Sequence, residues 1–304
     1  MCLRRVCGWC LPAKSYIKLL SLKFPWVLVA TRKLLDLVHD LRYRRYLSCR
    51  LPTGHDRIYF YHIRKTAGTS LNNMVLASFD EQRRDPDALW NTLWAAHRHR
   101  MLIGGKVFVA GERKLIESGK YFYATSHLAA HEISLPKGTF TVTCLRDPVD
   151  RVVSHYRMLL SWKKNNSSAL KKEGQWLGSN FREFLDLIPK EHLLRQIYTF
   201  SAKYDVAEAF DKICRTDFWF FTKDLDSEAR KLGERLGFVI ESPLHMNSSE
   251  VKFLPMPEEK RTLEELLAPE IELYSRLVKL KYASADITNA RDSVLPSVAR
   301  LAVR

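Results

Sequence analysis

The sequence has no long apolar run, which excludes an obvious membrane-spanning helix. Its most apolar N-terminal stretch, SYIKLLSLKFPWVLVATRKLLDLV, is interrupted by Lys18, Lys23 and Pro25, whereas a spanning helix needs roughly 20 consecutive apolar residues. No secretory signal is visible either. We therefore expect a cytoplasmic protein without a transmembrane helix.

Cysteine is also scarce, with six residues irregularly spaced over a chain of 304. A chain of this length can bury a core without covalent cross-links, so we expect reduced thiols rather than a disulfide framework. Cys7 and Cys10 form a lone CxxC pair with no second pair and no nearby histidine. Because structural zinc sites use four ligands, we expect no metal site.

Acidic residues are outnumbered, since 34 Asp and Glu face 49 Lys and Arg and the formal net charge is +15. This excess implies an anionic partner such as a phosphorylated cofactor, an acidic glycan, nucleic acid or an anionic membrane. Residues 1–50 contain eleven basic and two acidic residues, and so +9 of the charge. We interpret them as a basic amphipathic arm that either contacts anionic lipid or packs as an ordinary leading helix.

From Arg57 onward, short β-rich runs alternate with helical stretches, which predicts an α/β domain over residues 51–282 with a central parallel sheet flanked by helices. Residues 283–304 are expected to form a C-terminal tail, and the polar stretch 163–180 an exposed excursion. Strands are predicted at 57–63, 106–110, 120–125, 139–145 and 217–223, and helices at 70–79, 147–162, 181–200, 205–213, 226–237 and 257–282.

The segment HIRKTAGTS follows the first predicted strand and leads into a helix. Small residues such as Ala67 and Gly68 let the backbone approach an anion, and the helix terminus favours negative charge. Lys65 adds a full positive charge. The Walker A loop places its lysine after the second glycine, whereas here Lys65 precedes Gly68, so the segment predicts a phosphate cradle of a different type.

A second candidate anion site lies in TFTVTCLRDPVDRVVSHYR. Its apolar strand ends at Arg146, and Ser154 follows two helical turns later with Arg151, His155 and Arg157 around it. Ligands of open α/β sheets bind at the carboxyl ends of the strands, so Arg146 and Lys65 are expected to converge. A guanidinium fork and a hydroxyl suit a phosphate monoester. Two such sites indicate a nucleotide phosphorylated at both ends.

Together, KTAGTS and LRDPVDRVVSHY resemble the two nucleotide-binding motifs of sulfotransferases that use 3′-phosphoadenosine 5′-phosphosulfate, in the carbohydrate branch of the heparan sulfate 2-O type. The resemblance covers roughly residues 57–282. It implies a P-loop-containing nucleotide hydrolase-like fold, no metal, and an acceptor hydroxyl on a glycan or another molecule. By resemblance, Arg146 and Ser154 hold the 3′-phosphate, and the 5′-phosphosulfate is held by Lys65, Thr66, Ala67, Gly68, Thr69 and Ser70.

Sulfuryl transfer requires alignment, neutralisation of the leaving group and a base for the acceptor's proton. Lys65 suits the second task. For the base we choose His127, which follows the predicted strand KYFYAT and which the resemblance also favours. The alternatives left open are His131, His62, Glu112 and Glu132.

Two other classes of function remain open from the sequence. In one, a magnesium-dependent P-loop phosphotransferase or nucleotide hydrolase would use Asp147 to hold the metal. In the other, a non-catalytic module would bind polyanions through residues 1–50, although no nucleic-acid motif supports a nucleic-acid partner. The acceptor is not identified, because its pocket would be built from the stretches around 80–105, 160–200 and 240–256.

Overall fold

The computed structural model describes residues 25–47, 50–82, 84–241 and 251–293. The chain divides into two compact units, residues 1–48 and 49–304. In the first, the described residues form helix α1 (Pro25–Arg44). No helix among the described residues is long and apolar enough to cross a membrane. The CxxC pair lies outside the described residues.

The second unit is built on a six-stranded sheet. Its strands are β1 (Arg57–Tyr61), β2 (Arg100–Ile103), β3 (Lys106–Ala110), β4 (Tyr123–Ser126), β5 (Thr139–Leu145) and β6 (Phe218–Phe221). Their order across the sheet is β2, β3, β4, β1, β5, β6; β2 is antiparallel to β3, and the other neighbouring pairs are parallel. The predicted α/β class with a central, mostly parallel sheet is confirmed.

Helices flank this sheet in sequence order. They are α2 (Gly68–Ala77), α3 (Pro86–Ala95), α4 (Arg113–Glu117), α5 (Pro148–Lys164), α6 (Leu170–Glu173), α7 (Phe181–Leu187), α8 (Lys190–Leu193), α9 (Arg195–Phe200), α10 (Val206–Cys214), α11 (Leu225–Leu236), α12 (Pro257–Leu266) and α13 (Ala268–Ser293). The helix predicted at 181–200 is three short helices, because Ile188 precedes Pro189 and takes an extended conformation. The helix predicted at 257–282 is two, and the second ends at Ser293.

Strand β2 is missing from the sequence prediction. It forms a hairpin with β3, and the two strands are joined by Gly104 and Gly105, both with positive φ (49° and 69°). Two such glycines give the tight turn that matches the twist of paired strands. The Gly-Gly pair was therefore the available signal for this strand.

Among the described residues, one apolar cluster covers the sheet and another lies between helices. One packs α2, α3 and α11 against the strands, and in it Leu71, Met74 and Val75 are buried as their helical spacing predicts. The other joins α5 to α7 and α12 through residues such as Tyr156 and Phe184. The carboxyl edge of the sheet lies at the start of both α2 and α5.

A fully buried ion pair joins α5 to α13. Arg151 contacts Glu270 at 3.1 Å, and neither side chain is exposed. The guanidinium of Arg151 also donates to the carbonyl oxygens of His192 and Leu193, while Glu270 accepts the amide of Gln196 at 2.5 Å. The side-chain oxygen of Gln196 in turn accepts the N–H of Arg146 (2.8 Å), and its side-chain nitrogen donates to the Arg146 carbonyl oxygen (3.0 Å).

Replacing Glu270→Ala should lower the free energy of unfolding by about 3–5 kcal/mol, because Arg151 would remain as a buried charge without its partner. Urea denaturation measures this change. The matched control is Glu272→Ala on the same helix, where a 61% exposed carboxylate lies 3.8 Å from Arg276 and the expected loss is below about 1 kcal/mol. Equal losses in the two variants would contradict a structural role for the buried pair.

Candidate active site

The register of three neighbouring strands brings the predicted site residues to one edge of the sheet. Tyr61, the last residue of β1, pairs with Ser126 of β4 on one side and Thr143 of β5 on the other. All three strands are parallel, so the residues after them emerge together. Those residues include Lys65, His127 and Arg146, which the sequence placed at strand ends.

The loop after β1 has an unusual backbone. Lys65 and Ala67 have φ values of 68° and 58°, in the left-handed region that residues other than glycine seldom adopt. Thr66 is buried, and its hydroxyl donates to the carbonyl oxygen of Ile63 at 2.9 Å. This bond supports the turn into α2, whose first N–H groups have no partner within the helix and are free to receive an anion.

Gly68 is required by packing. A Cβ at this position would overlap the imidazole of His62, so the first residue of α2 approaches that ring as only glycine can. Ser70 is buried and Thr69 half-buried in the same turn. Lys65 to Ser70 thus form one continuous loop and helix start, as the sequence predicted.

Lys65 lies among other positive charges. Its pKa is lowered to about 8 by burial and by the guanidinium groups of Arg146 and Arg64. Arg146 also donates to the Lys65 carbonyl oxygen at 3.3 Å, so the two anion sites predicted separately are adjacent. A cluster of cations with depressed pKa values is stabilised by an incoming anion.

Helix α5 begins as its sequence predicts. The carboxylate of Asp147 accepts the amide of Asp150 at 3.0 Å, and Pro148 is the first helical residue. Ser154 is half-buried on the second turn. Two arginines expected around it are engaged elsewhere: Arg151 with Glu270, and Arg157 with the carbonyl oxygen of Phe253 at 2.8 Å.

His127 is oriented by two backbone contacts. Its Nδ1 lies 2.6 Å from the carbonyl oxygen of His62; because a carbonyl can only accept, Nδ1 carries the proton and Nε2 is the free acceptor of the neutral ring. Arg195 donates to the His127 carbonyl oxygen. The His127 side chain is exposed in the site, and its pKa is lowered by partial desolvation and by the nearby Arg64 and Arg195, against the opposing contact with His62. The imidazole is therefore neutral near pH 7.

The alternative bases occupy other positions. The Nδ1 of the buried His62 receives Asn72 at 3.5 Å, and the Asn72 oxygen accepts from Tyr123. His131 packs edge-on against Tyr198. The two carboxylates are also engaged, since Glu132 accepts the amide of Ala129 at 2.6 Å and Glu112 lies 3.7 Å from Arg98. Among these groups, the imidazole of His62 reaches His127, with ring centroids 4.3 Å apart.

A cavity of about 290 Å³ opens beside His127. Four of its residues come from the stretch 173–195, which lies within the range 160–200 that the sequence analysis assigned to the acceptor pocket, but no motif identified the individual residues. The lining residues are Arg64, His127, Glu173, Trp176, His192 and Arg195.

The segment 163–180 is exposed over its first residues, as its polarity predicted, but it is anchored in the protein near its middle. Glu173 and Leu177 are buried, because the Glu173 carboxylate bridges Arg64 and His155, the latter at 3.1 Å. Although burial opposes ionisation, hydrogen bonds from His155 and Arg64 lower the pKa of Glu173 to about 2. Trp176 lies 4.4 Å from the His192 ring, between centroids.

The structure is thus an α/β protein with a mostly parallel six-stranded sheet and a cluster of cations at its carboxyl edge. A family model described as the sulfotransferase family matches residues 51–253. The chain therefore belongs to the sulfotransferase family of enzymes. The match does not reach the narrower heparan sulfate 2-O branch, which stays a prediction.

Several solved structures are remotely similar, among them a retinol dehydratase and a bacterial sulfotransferase, whereas no curated protein matches the chain. Retinol dehydratase in complex with androsterone and the inactive cofactor PAP is 16% identical over 73% of this chain and 66% of its own, just under two thirds, with a TM-score of 0.31. A sulfotransferase from Alicyclobacillus acidocaldarius is 17% identical over 78% of this chain and 89% of its own, with a TM-score of 0.32.

Proposed function

We propose that the protein transfers a sulfuryl group from 3′-phosphoadenosine 5′-phosphosulfate to an acceptor hydroxyl of a carbohydrate. The observation that supports this most directly is the meeting of Lys65, Arg146 and a correctly oriented His127 at one sheet edge. Membership of the sulfotransferase family supports the reaction class.

The residues present fit this donor. The start of α2, with Lys65, Thr66, Ala67, Gly68, Thr69 and Ser70, would hold the 5′-phosphosulfate through backbone N–H groups and one charge. Arg146, whose backbone is held by Gln196, and Ser154 would hold the 3′-phosphate. The donor supplies an activated sulfuryl group.

Two side chains would carry out the proton transfer and the stabilisation of the leaving group. The Nε2 of His127 takes the proton of the acceptor hydroxyl as its oxygen bonds to sulfur. Lys65 stabilises the negative charge that develops on the departing nucleotide as the bond from sulfur to the bridging oxygen breaks. Both tasks need the protonation states that the site favours, a neutral His127 and a charged Lys65.

The competing interpretations are less well supported. A magnesium-dependent phosphotransferase would need Asp147 as a metal ligand, but this carboxylate caps α5. A passive polyanion-binding module would give no reason for a neutral histidine fixed in one tautomer beside the cationic loop.

Donor binding should depend on the charge of Lys65. In the free protein Lys65 is protonated below its pKa of about 8, so binding of 3′-phosphoadenosine 5′-phosphate should weaken as pH rises above 8 and take up a proton there. The melting temperature is measured at each pH from 6 to 10 over nucleotide concentrations that increase in roughly tenfold steps. Its dependence on nucleotide concentration gives the affinity at that pH.

The control variant is Lys65→Arg, which stays charged and should lose this fall of affinity with pH, whereas Lys65→Ala and Arg146→Ala should bind weakly throughout. An absence of any thermal shift in the unaltered protein would count against the nucleotide site itself.

Replacing His127→Gln should lower kcat by about 10²–10⁴-fold, the range of general-base catalysis, while leaving the nucleotide-induced thermal shift unchanged. Sulfate transfer from labelled donor to a glycan panel measures kcat. The matched control, His131→Gln, removes a ring that packs on Tyr198 and should leave kcat near its original value. If the control loses activity and His127→Gln retains it, the base is assigned wrongly.

We also propose that α1 contacts anionic membranes, as the composition of residues 1–50 suggested. Leu34, Leu37, Val38 and Leu41 lie at helical spacing and are 53–60% exposed, and basic side chains such as Arg42 are exposed beside them. This combination is typical of helices that lie in a membrane interface.

Co-sedimentation with phosphatidylcholine vesicles, with and without phosphatidylserine, tests this contact. We expect binding only with phosphatidylserine, reduced by high salt and lost when Leu34, Leu37 and Leu41 are all replaced by serine, a change that keeps the charge. Undiminished binding of that triple variant would exclude the apolar face of α1 as the contact.

A further inference from the structure

The cavity beside His127 lies where an acceptor must enter. His127 is one of its walls, and the free Nε2 of that ring is the group that can take the acceptor's proton. Arg64, immediately before Lys65 in the chain, forms another wall. The cavity is thus next to the cationic loop without including Lys65 in its lining.

The volume of the cavity limits what can occupy it. About 290 Å³ lies at the lower end of the range for small-molecule pockets, roughly 300–1,000 Å³. A single substituted ring fills this space, so any further units of a polymer would lie outside it.

The wall opposite the sheet edge is fixed in place. Glu173 is held by Arg64 and His155, and four residues later Leu177 is buried in the core that contains Tyr156 and Phe184. Trp176 stands between these two anchors and is itself only half-buried. Its indole lines the cavity and packs against the His192 ring.

The lining presents both an apolar surface and polar groups, the combination that suits the CH face and the hydroxyls of a sugar ring. Five of the six lining side chains are charged or imidazole groups, and Trp176 supplies the single broad apolar surface. The carboxylate of Glu173 is already paired on both oxygens. A ligand can therefore contact one aromatic face and hydrogen-bond donors such as Arg195. The guanidinium of Arg195 donates to the His127 carbonyl oxygen and lies over the ring of Tyr198.

We propose that this cavity is the acceptor site and that the reactive sugar ring stacks on Trp176. The cavity accepts one ring, either at the end of a glycan or in a simple glycoside, rather than a ring inside a long chain. The proposal rests on the sulfotransferase function proposed above. An apolar CH face of the ring packs on the indole, and its hydroxyl oxygens accept from the donors of the wall.

The first experiment measures acceptor kinetics in Trp176 variants. Trp176→Ala should raise the acceptor KM about tenfold, the loss expected for one stacking contact, with a much smaller change in kcat and no change in the thermal shift caused by 3′-phosphoadenosine 5′-phosphate. Trp176→Phe, which keeps a ring, should restore most of the affinity. The control Trp94→Ala removes an indole of α3 that is 38% exposed and lies outside the cavity.

The second experiment locates the transferred sulfate. Methyl glycosides of single sugars and polysaccharides of the same sugars are incubated with labelled donor, and the labelled rings are separated into terminal and internal positions. We expect labelled methyl glycosides and labelled chain ends. Label confined to internal rings, with inert methyl glycosides, would overturn the single-ring proposal, and so would an unchanged KM in Trp176→Ala.

These outcomes are separable from a failure of the proposed function. If the nucleotide produces no thermal shift and no acceptor of any size is labelled, the sulfotransferase assignment fails and this proposal fails with it. If the nucleotide binds and phenols are labelled while sugars are not, the reaction stands and the sugar assignment is wrong.

Discussion

The arrangement of the site depends on one buried ion pair, between Arg151 and Glu270. Once two opposite charges are buried, removing one partner costs much free energy, because the other is left as an unpaired charge away from water. The pair fixes the segment around His192 and Leu193 through their carbonyl oxygens and fixes Gln196 through its amide. It thereby positions Arg146 for the donor and His192 for the acceptor wall.

Much of the donor side could be predicted from the sequence because its determinants are local. Apolar runs predicted β1, β4 and β5, and a parallel sheet places the residues after neighbouring strands together. Lys65, His127 and Arg146 could therefore be assigned to one edge before any coordinates were known. The tautomer of His127 could not be, since it depends on a contact with the carbonyl oxygen of a residue 65 positions earlier.

For the proposed acceptor side, the sequence pointed to the stretch around 160–200 but not to the residues within it that line the cavity, and the reason is physical. The stretch 163–180 is polar, and polarity alone predicts exposure. Within it Glu173 is buried, because it pairs with Arg64, a residue 109 positions away in the chain. Likewise, the helix predicted at 181–200 is divided at Pro189 into short pieces whose ends turn His192 toward the cavity and Arg195 toward His127. Pairings over such distances leave no periodic pattern in the sequence.

The proposed acceptor wall and the proposed nucleotide loop come from different parts of the chain, so related proteins could differ in one and not in the other. Trp176 is carried by a short stretch between Glu173 and Leu177, outside every strand of the sheet, while the loop of Lys65 is set by β1 and the start of α2. Exchange of that stretch between related chains would alter which ring is accepted and leave the nucleotide loop intact, provided that the carboxylate at 173 and the apolar anchor at 177 are kept. The proposed donor loop and the proposed acceptor wall are in this sense separate parts of the chain that could change independently.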